Sequence, residues 1–415
     1  MGFLDTAVDQ RAEPFRTART RMLGALARLE SVLDAARESG GERAVTRHHA
    51  RGKLLARERI ELLVDRDSPL LELSPVAGWG TGAPVGAAVV TAIGVVEDQL
   101  CVIVAHDPTV LIENGEGAVP GFAAKIRRAQ QIARQNRLPL VWLAEDAGYD
   151  EVGELMAGLA RVGAAGIRTI AVYFGVPPTE RAGPFDYLIA LRGYAGRPAT
   201  HLAGDERDAL RLARQCARRP RRVRLGALTA APPPEHDPED LLSVPAGDPW
   251  EILARVLDGS EFDEIDGPAA GGEVCAGWGE VCGYPVAVVA DRPTGGGEAG
   301  AATPARMVRL AARSSTPLLY LAQGSGGVRP LAGAVADARI PIVAVRVGSG
   351  AGDAALSALA RFRFRWPDPG SGADLGSGAD PGEDLADSGR LADDGVIDPR
   401  DTRAVLGFCL SVIRP

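Results

Sequence analysis

Two α/β domains of one fold are predicted for this 415-residue sequence. The prediction rests on an internal repeat, on short wholly apolar runs, and on helical stretches lying between those runs. Residues Cys101-Val102-Ile103-Val104-Ala105-His106-Asp107 are matched by Val286-Ala287-Val288-Val289-Ala290-Asp291, with Ala290 185 positions after Ala105. Residues 137–144 are matched by 315–322, with Pro317 178 after Pro139, and residues 167–175 by 339–345, with Ile342 172 after Ile170. Three matches in one order with a slowly drifting offset mark a duplication. Each half therefore reads as strand, helix, strand, helix, strand. Continuous apolar strands separated by helices indicate a parallel sheet covered on both faces.

Taken in order, residues 11–38 carry Met22, Leu23, Leu26, Leu29, Val32 and Leu33 at helical spacing and predict an amphipathic helix. A basic segment follows over 47–63, with leucines on one face and arginines on the other. From Leu70 the texture changes to short β-rich runs bounded by Gly and Pro. Helices are expected over 122–136 and 156–164 in the first half, and over 304–313 and 331–338 in the second. The stretch 227–249 holds Ala230-Ala231-Pro232-Pro233-Pro234-Glu235-His236-Asp237-Pro238 and predicts a proline-stiffened acidic linker. Residues 367–388 contain a near duplication, Gly370-Ser371-Gly372-Ala373-Asp374 with Gly376-Ser377-Gly378-Ala379-Asp380. So little apolar surface predicts a disordered acidic loop. The last helix is expected to start at Asp398-Pro399, a capping Asp before a first-turn Pro. The expected division is a helical and basic segment 1–66, a domain 67–226, a linker 227–249 and a second domain 250–415.

Composition limits the function. Lys and Arg number 46 against 54 Asp and Glu, a net charge of -8, which argues against bulk attraction to nucleic acid or to an anionic membrane. The five cysteines are odd in number, scattered and without a CxxC pair, so they read as isolated thiols rather than disulfides or zinc ligands. The charged beginning does not read as a signal peptide, and no stretch reaches the length of a membrane span. A soluble cytoplasmic protein is expected. No GxSxG, HExxH or Walker pattern occurs, so neither serine-hydrolase chemistry nor a metal site is predicted.

Ligands of parallel α/β layers sit at the C-terminal ends of strands, where glycine turns present amide groups near a helix N-terminus. Three turns meet that rule: Glu145-Asp146-Ala147-Gly148-Tyr149, Gln323-Gly324-Ser325-Gly326-Gly327, and Gly348-Ser349-Gly350-Ala351-Gly352-Asp353. The third follows an apolar strand over 342–347 and precedes a helical stretch over 354–362. It reads either as an oxyanion cradle made by Gly350, Ala351 and Gly352 or as a tight connection with no ligand. His48 and His49 read as an acid/base or metal pair, or as surface histidines beside a basic helix. Arg51, Lys53, Arg57 and Arg59 read as phosphate ligands, or as a solvated helix face paired with Glu58 and Glu61. His106, at a strand end, is either a polar group of a site or a structural histidine.

Several motifs together resemble the carboxyltransferase (β) subunits of biotin-dependent acyl-CoA carboxylases, in the methylcrotonyl-CoA and propionyl-CoA carboxylase group. They are residues 47–60, 68–75, 128–139, 258–264 and 390–403, with Gly283-Tyr284-Pro285-Val286. The resemblance implies two crotonase-like β-β-α superhelix domains, in a homo-oligomer that is a dimer or a hexamer. It implies acyl-CoA as substrate and carboxybiotin on a separate, biotinylated α subunit, with no covalently bound cofactor. Carboxybiotin would release CO2, and the acyl-CoA α-carbon would lose a proton. Two oxyanion holes would stabilise the thioester enolate and the ureido oxygen, and the enolate would attack CO2. Residue by residue, the resemblance puts the first hole at Asp146-Ala147-Gly148-Tyr149, with Gly148 the surviving glycine. It puts the second at Gly350-Ala351-Gly352, and Lys125 on a helix below the acyl-CoA site. Ala147, Tyr149, His106, Gly326 and Gly327 become candidate substrate contacts.

The sequence also departs from the family. Residues 175–184 replace a glycine-rich segment with Gly175-Val176-Pro177-Pro178, and proline has no amide to donate. The loop 111–121 brings in Glu113 and Glu116, and Gly324-Ser325-Gly326-Gly327 replaces a threonine-glycine-phenylalanine loop. Two other readings follow from these changes. One is a repurposed, biotin-independent crotonase-like enzyme acting on an enolate or oxyanion, as in natural-product tailoring, with Glu113, Glu116 and Asp146 as candidate acid/base groups. The other is a non-catalytic scaffold subunit.

Overall fold

The computed structural model describes residues 2–113, 119–145, 152–175, 185–193, 199–218, 231–244, 248–265, 274–291, 302–323, 329–347, 359–370 and 383–413. In chain order the elements begin with β1 (Gly2–Phe3), α1 (Glu13–Arg37), α2 (Glu42–Ala50), α3 (Ala56–Leu63), β2 (Leu70–Leu73), β3 (Val89–Val96) and β4 (Gln99–His106). Next come α4 (Pro108–Glu113), α5 (Phe122–Asn136), β5 (Leu140–Ala144), α6 (Val152–Ala164), β6 (Thr169–Tyr173), β7 (Tyr187–Leu191), β8 (His201–Ala203) and α7 (Glu206–Ala217). The second half continues with α8 (Pro249–Val256), β9 (Glu261–Glu264), β10 (Val274–Val281), β11 (Tyr284–Asp291), α9 (Ala302–Ser314) and β12 (Leu318–Ala322). It ends with α10 (Arg329–Ala338), β13 (Ile342–Arg346), β14 (Phe362–Arg365), a helix Glu383–Gly389, β15 (Gly395–Val396) and a last helix Thr402–Ile413.

The chain forms two compact units. The N-terminal half is Ser31–Gly226 with Ala386–Ala392, and the C-terminal half is Met1–Glu30, Ala227–Leu385 and Asp393–Pro415. Each half holds one sheet, in the order β2-β3-β4-β5-β6-β7-β8 and β1-β9-β10-β11-β12-β13-β14-β15. Strands β2, β3 and β4 pair antiparallel, as β9, β10 and β11 do; from β4 and from β11 onward every pair is parallel. Each sheet is thus mixed rather than wholly parallel, because antiparallel strands precede the crossovers. The strands read as apolar runs because both faces are covered: all eight residues of Val89–Val96 are buried.

Register refines the repeat. Val102 pairs with Leu140 and Ala287 with Leu318, which preserves the offsets of 185 and 178. Leu140 pairs with Thr169 whereas Leu318 pairs with Ile342, so the third strand is offset by 173 (342 less 169), a one-residue slip from the apparent match.

A clamp recurs in both halves that the strands alone do not reveal. In the N-terminal half Asp65 accepts the amides of Glu97 (3.0 Å) and Asp98 (2.8 Å), both with positive φ in the turn between β3 and β4. Arg214 of α7 binds Asp65 at 2.7 Å and the Leu63 carbonyl at 2.7 Å. In the C-terminal half Asp258 accepts the amides of Cys282 (2.8 Å) and Gly283 (2.6 Å), and Arg403 binds both Asp258 (2.5 Å) and the Val256 carbonyl (2.8 Å). The preceding residues, Val64 and Leu257, pack on strand glycines: a Cβ on Gly94 would lie 3.0 Å from Val64, and one on Gly279 2.8 Å from Leu257. In both halves, therefore, a helix end, a hairpin turn and an arginine from a later helix are tied through one carboxylate.

Four expectations are corrected. Helix α3 is no separate segment, since Ala56, Ile60 and Leu63 belong to the core of the N-terminal half. The stretch after Ala231 is not a free linker: Leu241 and Leu242 are buried, Glu235 N donates to Ser260, and Asp240 accepts from Arg255. Of the expected acidic loop, residues 371–382 lie outside the described residues, but the helix Glu383–Gly389 forms, with Leu385 buried and the Gly389 carbonyl accepting from Gly78 N at 2.8 Å. Most of the helix expected over 354–362 lies outside them too, and its last residue, Phe362, opens strand β14.

The clamps should differ in strength, because the Asp258 side chain is 4% exposed and that of Asp65 22%. Asp258→Ala is expected to cost about 3 kcal/mol and Asp65→Ala about 1 to 2 kcal/mol in urea unfolding. Equal or reversed losses would contradict this account of the clamp.

Candidate functional site

In the N-terminal half the parallel strands β4, β5 and β6 end side by side at His106, Ala144 and Tyr173. The residues that follow them, Asp107, Glu145 and Phe174, are all buried. This edge collects the buried charge. Arg59 of α3 is 0% exposed. Its Nε donates to Glu206 Oε2 at 3.0 Å, and its Nη2 to Glu206 Oε1 at 2.8 Å and to Glu145 Oε2 at 2.6 Å. The guanidinium carbon lies 3.9 Å from the ring centre of Phe174, a cation–π contact.

Lys53 donates to the other Glu145 oxygen, and His48 Nε2 lies 3.8 Å from the carboxylate while contacting the Leu54 carbonyl at 3.1 Å. Leu54 N donates to Glu206 Oε2. Burial pushes the Glu145 carboxyl up, but Arg59 and Lys53 outweigh burial and hold it below the ordinary carboxylate value.

His106 contacts the same residue at its backbone carbonyl. The Trp142 indole, which can only donate, gives its proton to His106 Nε2 at 2.9 Å. Nε2 therefore carries the lone pair and Nδ1 the proton, and Nδ1 faces the Glu145 carbonyl at 3.4 Å. Burial pushes His106 down to about 4, keeping it neutral as this tautomer requires. With both nitrogens engaged inside the protein, His106 acts on the site by holding Glu145.

Lys125, on the first turn of α5, is 1% exposed, and its Nζ donates to the Gly86 carbonyl at 3.2 Å. Burial pushes this amine down to about 8. Gly86, Ala87 and Ala88 form three consecutive left-handed residues, a conformation costing about 1 to 2 kcal/mol at each alanine. Lys125 on Gly86 and Asp107 N on the Ala88 carbonyl (2.9 Å) hold the run beside the end of β4. Lys125 thus supports backbone in this structure.

The basic segment divides. Arg57 pairs with Glu72 at 2.8 Å and with the Ala36 carbonyl, and Lys53 and Arg59 are taken up by carboxylates. The alternative of a solvated face fails for Arg59. His49 pairs with Glu58 at the surface (3.1 Å), whereas His48 is buried. Sequence reasoning missed the role of Arg59, although a signal existed: Ala56, Ile60 and Leu63 define a buried stripe at helical spacing, and position 59 falls on it.

Asp146, Ala147, Gly148, Tyr149, Glu116, Gly326, Gly327, Gly350, Ala351 and Gly352 lie outside the described residues; Glu113 closes α4, and only its backbone is described. Among the described residues no cluster of His, Cys, Asp or Glu could hold a metal ion, all five cysteines are free thiols, and no helix is long and apolar enough to cross a membrane.

A family profile described as "Carboxyl transferase domain" matches residues 47–178 and 199–330. The chain is 34% identical over 516 aligned positions to the probable biotin-dependent acyl-coenzyme A carboxylase beta2 subunit of Mycobacterium tuberculosis, covering 99% of this chain and 97% of that protein. It is 30% identical over 500 positions to the biotin-dependent 3-methylcrotonyl-coenzyme A carboxylase beta1 subunit of the same organism, covering 93% of each. Among solved structures, the beta subunit of geranyl-CoA carboxylase from P. aeruginosa superposes with a TM-score of 0.84 at 28% identity, covering 99% of this chain and 96% of that one. The crotonase-like architecture expected from the sequence agrees with that likeness.

The neutral His106 makes this half acid-sensitive. An unfolded histidine takes up a proton below about 6.5, whereas the folded one does so only near about 4. Falling pH therefore favours unfolding between those values, by a total on the order of 3 kcal/mol, and no further below them. In His106→Phe this part of the acid slope should vanish, on top of a pH-independent loss from the stranded Trp142 donor. Urea unfolding at stepped pH measures it, and identical slopes in both proteins would refute the neutral tautomer.

Proposed function

Because the chain belongs to the carboxyl transferase family, we propose that it transfers CO2 from carboxybiotin to an acyl-CoA as the β subunit of a biotin-dependent acyl-CoA carboxylase. The observation that carries this reading is the 34% identity extending over 99% of the chain, reinforced by the 0.84 superposition on an acyl-CoA carboxylase beta subunit. Neither the biotin-independent enzyme nor the non-catalytic scaffold is favoured by these comparisons, and the acid/base roles of Glu113, Glu116 and Asp146 belonged to the first of them.

Carboxybiotin on a biotinylated α subunit would supply the CO2 and, once decarboxylated, a nitrogen able to take the α-proton of the acyl thioester. This chain's task is electrostatic. Backbone amides at Ala147, Gly148 and Tyr149 stabilise the negative charge on the thioester oxygen, and those at Gly350, Ala351 and Gly352 the charge on the ureido oxygen. Amides suit this work because they donate without titrating and need no reorganisation as charge develops. Support for the first group is its place directly after Glu145, which is held through both its side chain and its carbonyl. His106 and Lys125 serve as supports, Gly326 and Gly327 line the biotin side, and the assembly is a homo-oligomer.

The test is incubation with carboxylated biotin carrier and a panel of acyl-CoAs, scored by acyl-dependent incorporation of labelled carboxylate. Carboxylation of at least one acyl-CoA is expected. Gly148→Pro, which removes one amide donor, should lower kcat about 100-fold or more. No incorporation with any acyl-CoA and any biotinylated α subunit would overturn the proposal.

A further inference from the structure

We propose that Arg59 is a positioning residue for the enolate-stabilising amides. It fixes the residue from which 146–149 depart by bridging two carboxylates that come from distant parts of the N-terminal half. The inference rests on the carboxyltransferase reading for its catalytic consequence, but the geometry behind it lies wholly among described residues.

Glu145 is secured at three points. Its carboxylate meets Arg59 Nη2 at 2.6 Å, with Lys53 on the other oxygen. Its carbonyl faces His106 Nδ1 at 3.4 Å. The carbonyl of Ala144, just before it, accepts from Phe174 N at 2.9 Å, and the Phe174 ring lies against the Arg59 guanidinium. Arg59, Glu145, Ala144 and Phe174 thus close a ring of contacts around the end of β5.

Glu206, the first residue of α7, completes the device, because Arg59 grips both of its oxygens while its Oε2 also accepts from Leu54 N. The guanidinium cannot follow Glu145 without breaking two hydrogen bonds to Glu206. A planar fork that cannot lose its charge can span two carboxylates, and an ammonium cannot reproduce that geometry. Buried ion clusters add little net stability over well-packed apolar side chains, so what this one supplies is orientation. Orientation is what an oxyanion site requires, since a misplacement of about 1 Å can cost about 100-fold in rate.

The experiment compares wild type, Arg59→Lys and Glu145→Gln in the full chain. In Arg59→Lys, kcat for acyl-CoA carboxylation should fall 10- to 100-fold with KM changed less than about threefold, since the substrate's own contacts are untouched. Amide hydrogen exchange should rise at Phe174, whose amide donates to the Ala144 carbonyl beside Glu145, while α3 and α7 stay protected. Glu145→Gln, which keeps the shape of the side chain and removes its charge, should move both readouts in the same direction and serves if Arg59→Lys does not fold. Unchanged exchange at Phe174 in a folded variant would overturn the positioning role, as would unchanged kcat in an active one. Exchange that rises equally across α3, β5 and α7 would also overturn it, by marking a purely structural role. A wild type without transferase activity would instead defeat the carboxyltransferase reading, and exchange would then decide the positioning role by itself.

Discussion

A guanidinium shut away from water dictates much of the N-terminal half. Arg59 has no solvent to screen it, so the fold must bring it negative charge, and it does so from two places far away in sequence. Glu145 arrives at the end of β5 and Glu206 at the start of α7. Satisfying one cation therefore fixes the relative placement of α3, a central strand and a late helix. Phe174 spreads its ring against the same charge and draws the end of β6 into the arrangement. The edge where β4, β5 and β6 end is thus set by electrostatics, while the apolar sheet behind it is set by packing.

Much of the scaffold was legible in the sequence because strands buried on both faces announce themselves as apolar runs. The helix Phe122–Asn136 was expected at its observed bounds, and α1 differs by two residues at its start and one at its end. The third repeated strand slipped by one residue, because two all-apolar runs align almost equally well in either register and only the ladder decides. The antiparallel strands that open each sheet were absorbed into a parallel picture for the same reason. The stretch after Ala231 looked like a linker because prolines and acids dominate it, yet Leu241 and Leu242 are enough to seat it.

At the site, legibility followed the range of the interaction. His106 was recognisable as a strand-end polar group, but its tautomer depends on Trp142, 36 residues away. Arg59 looked like one more cation on a basic helix because its partners are 86 and 147 residues distant. Lys125 drew attention through a family pattern, and its work on the strained run Gly86 to Ala88 depends on a contact 39 residues back. Glycine-rich stretches are visible in sequence because they are local; the distant partners of a buried charge are not.

The paired Asp–Arg clamps lie at the hairpin ends of β4 and β11, whereas in the N-terminal half Asp107, Glu145 and Phe174 follow the other ends of β4, β5 and β6. Eight residues of extended chain put roughly 25 Å between the two edges. Either half can therefore rewrite its chemical edge without loosening the fastening that gives it shape. In such a protein mutational freedom has a direction: it runs along the strands, from a conservative rim to an inventive one.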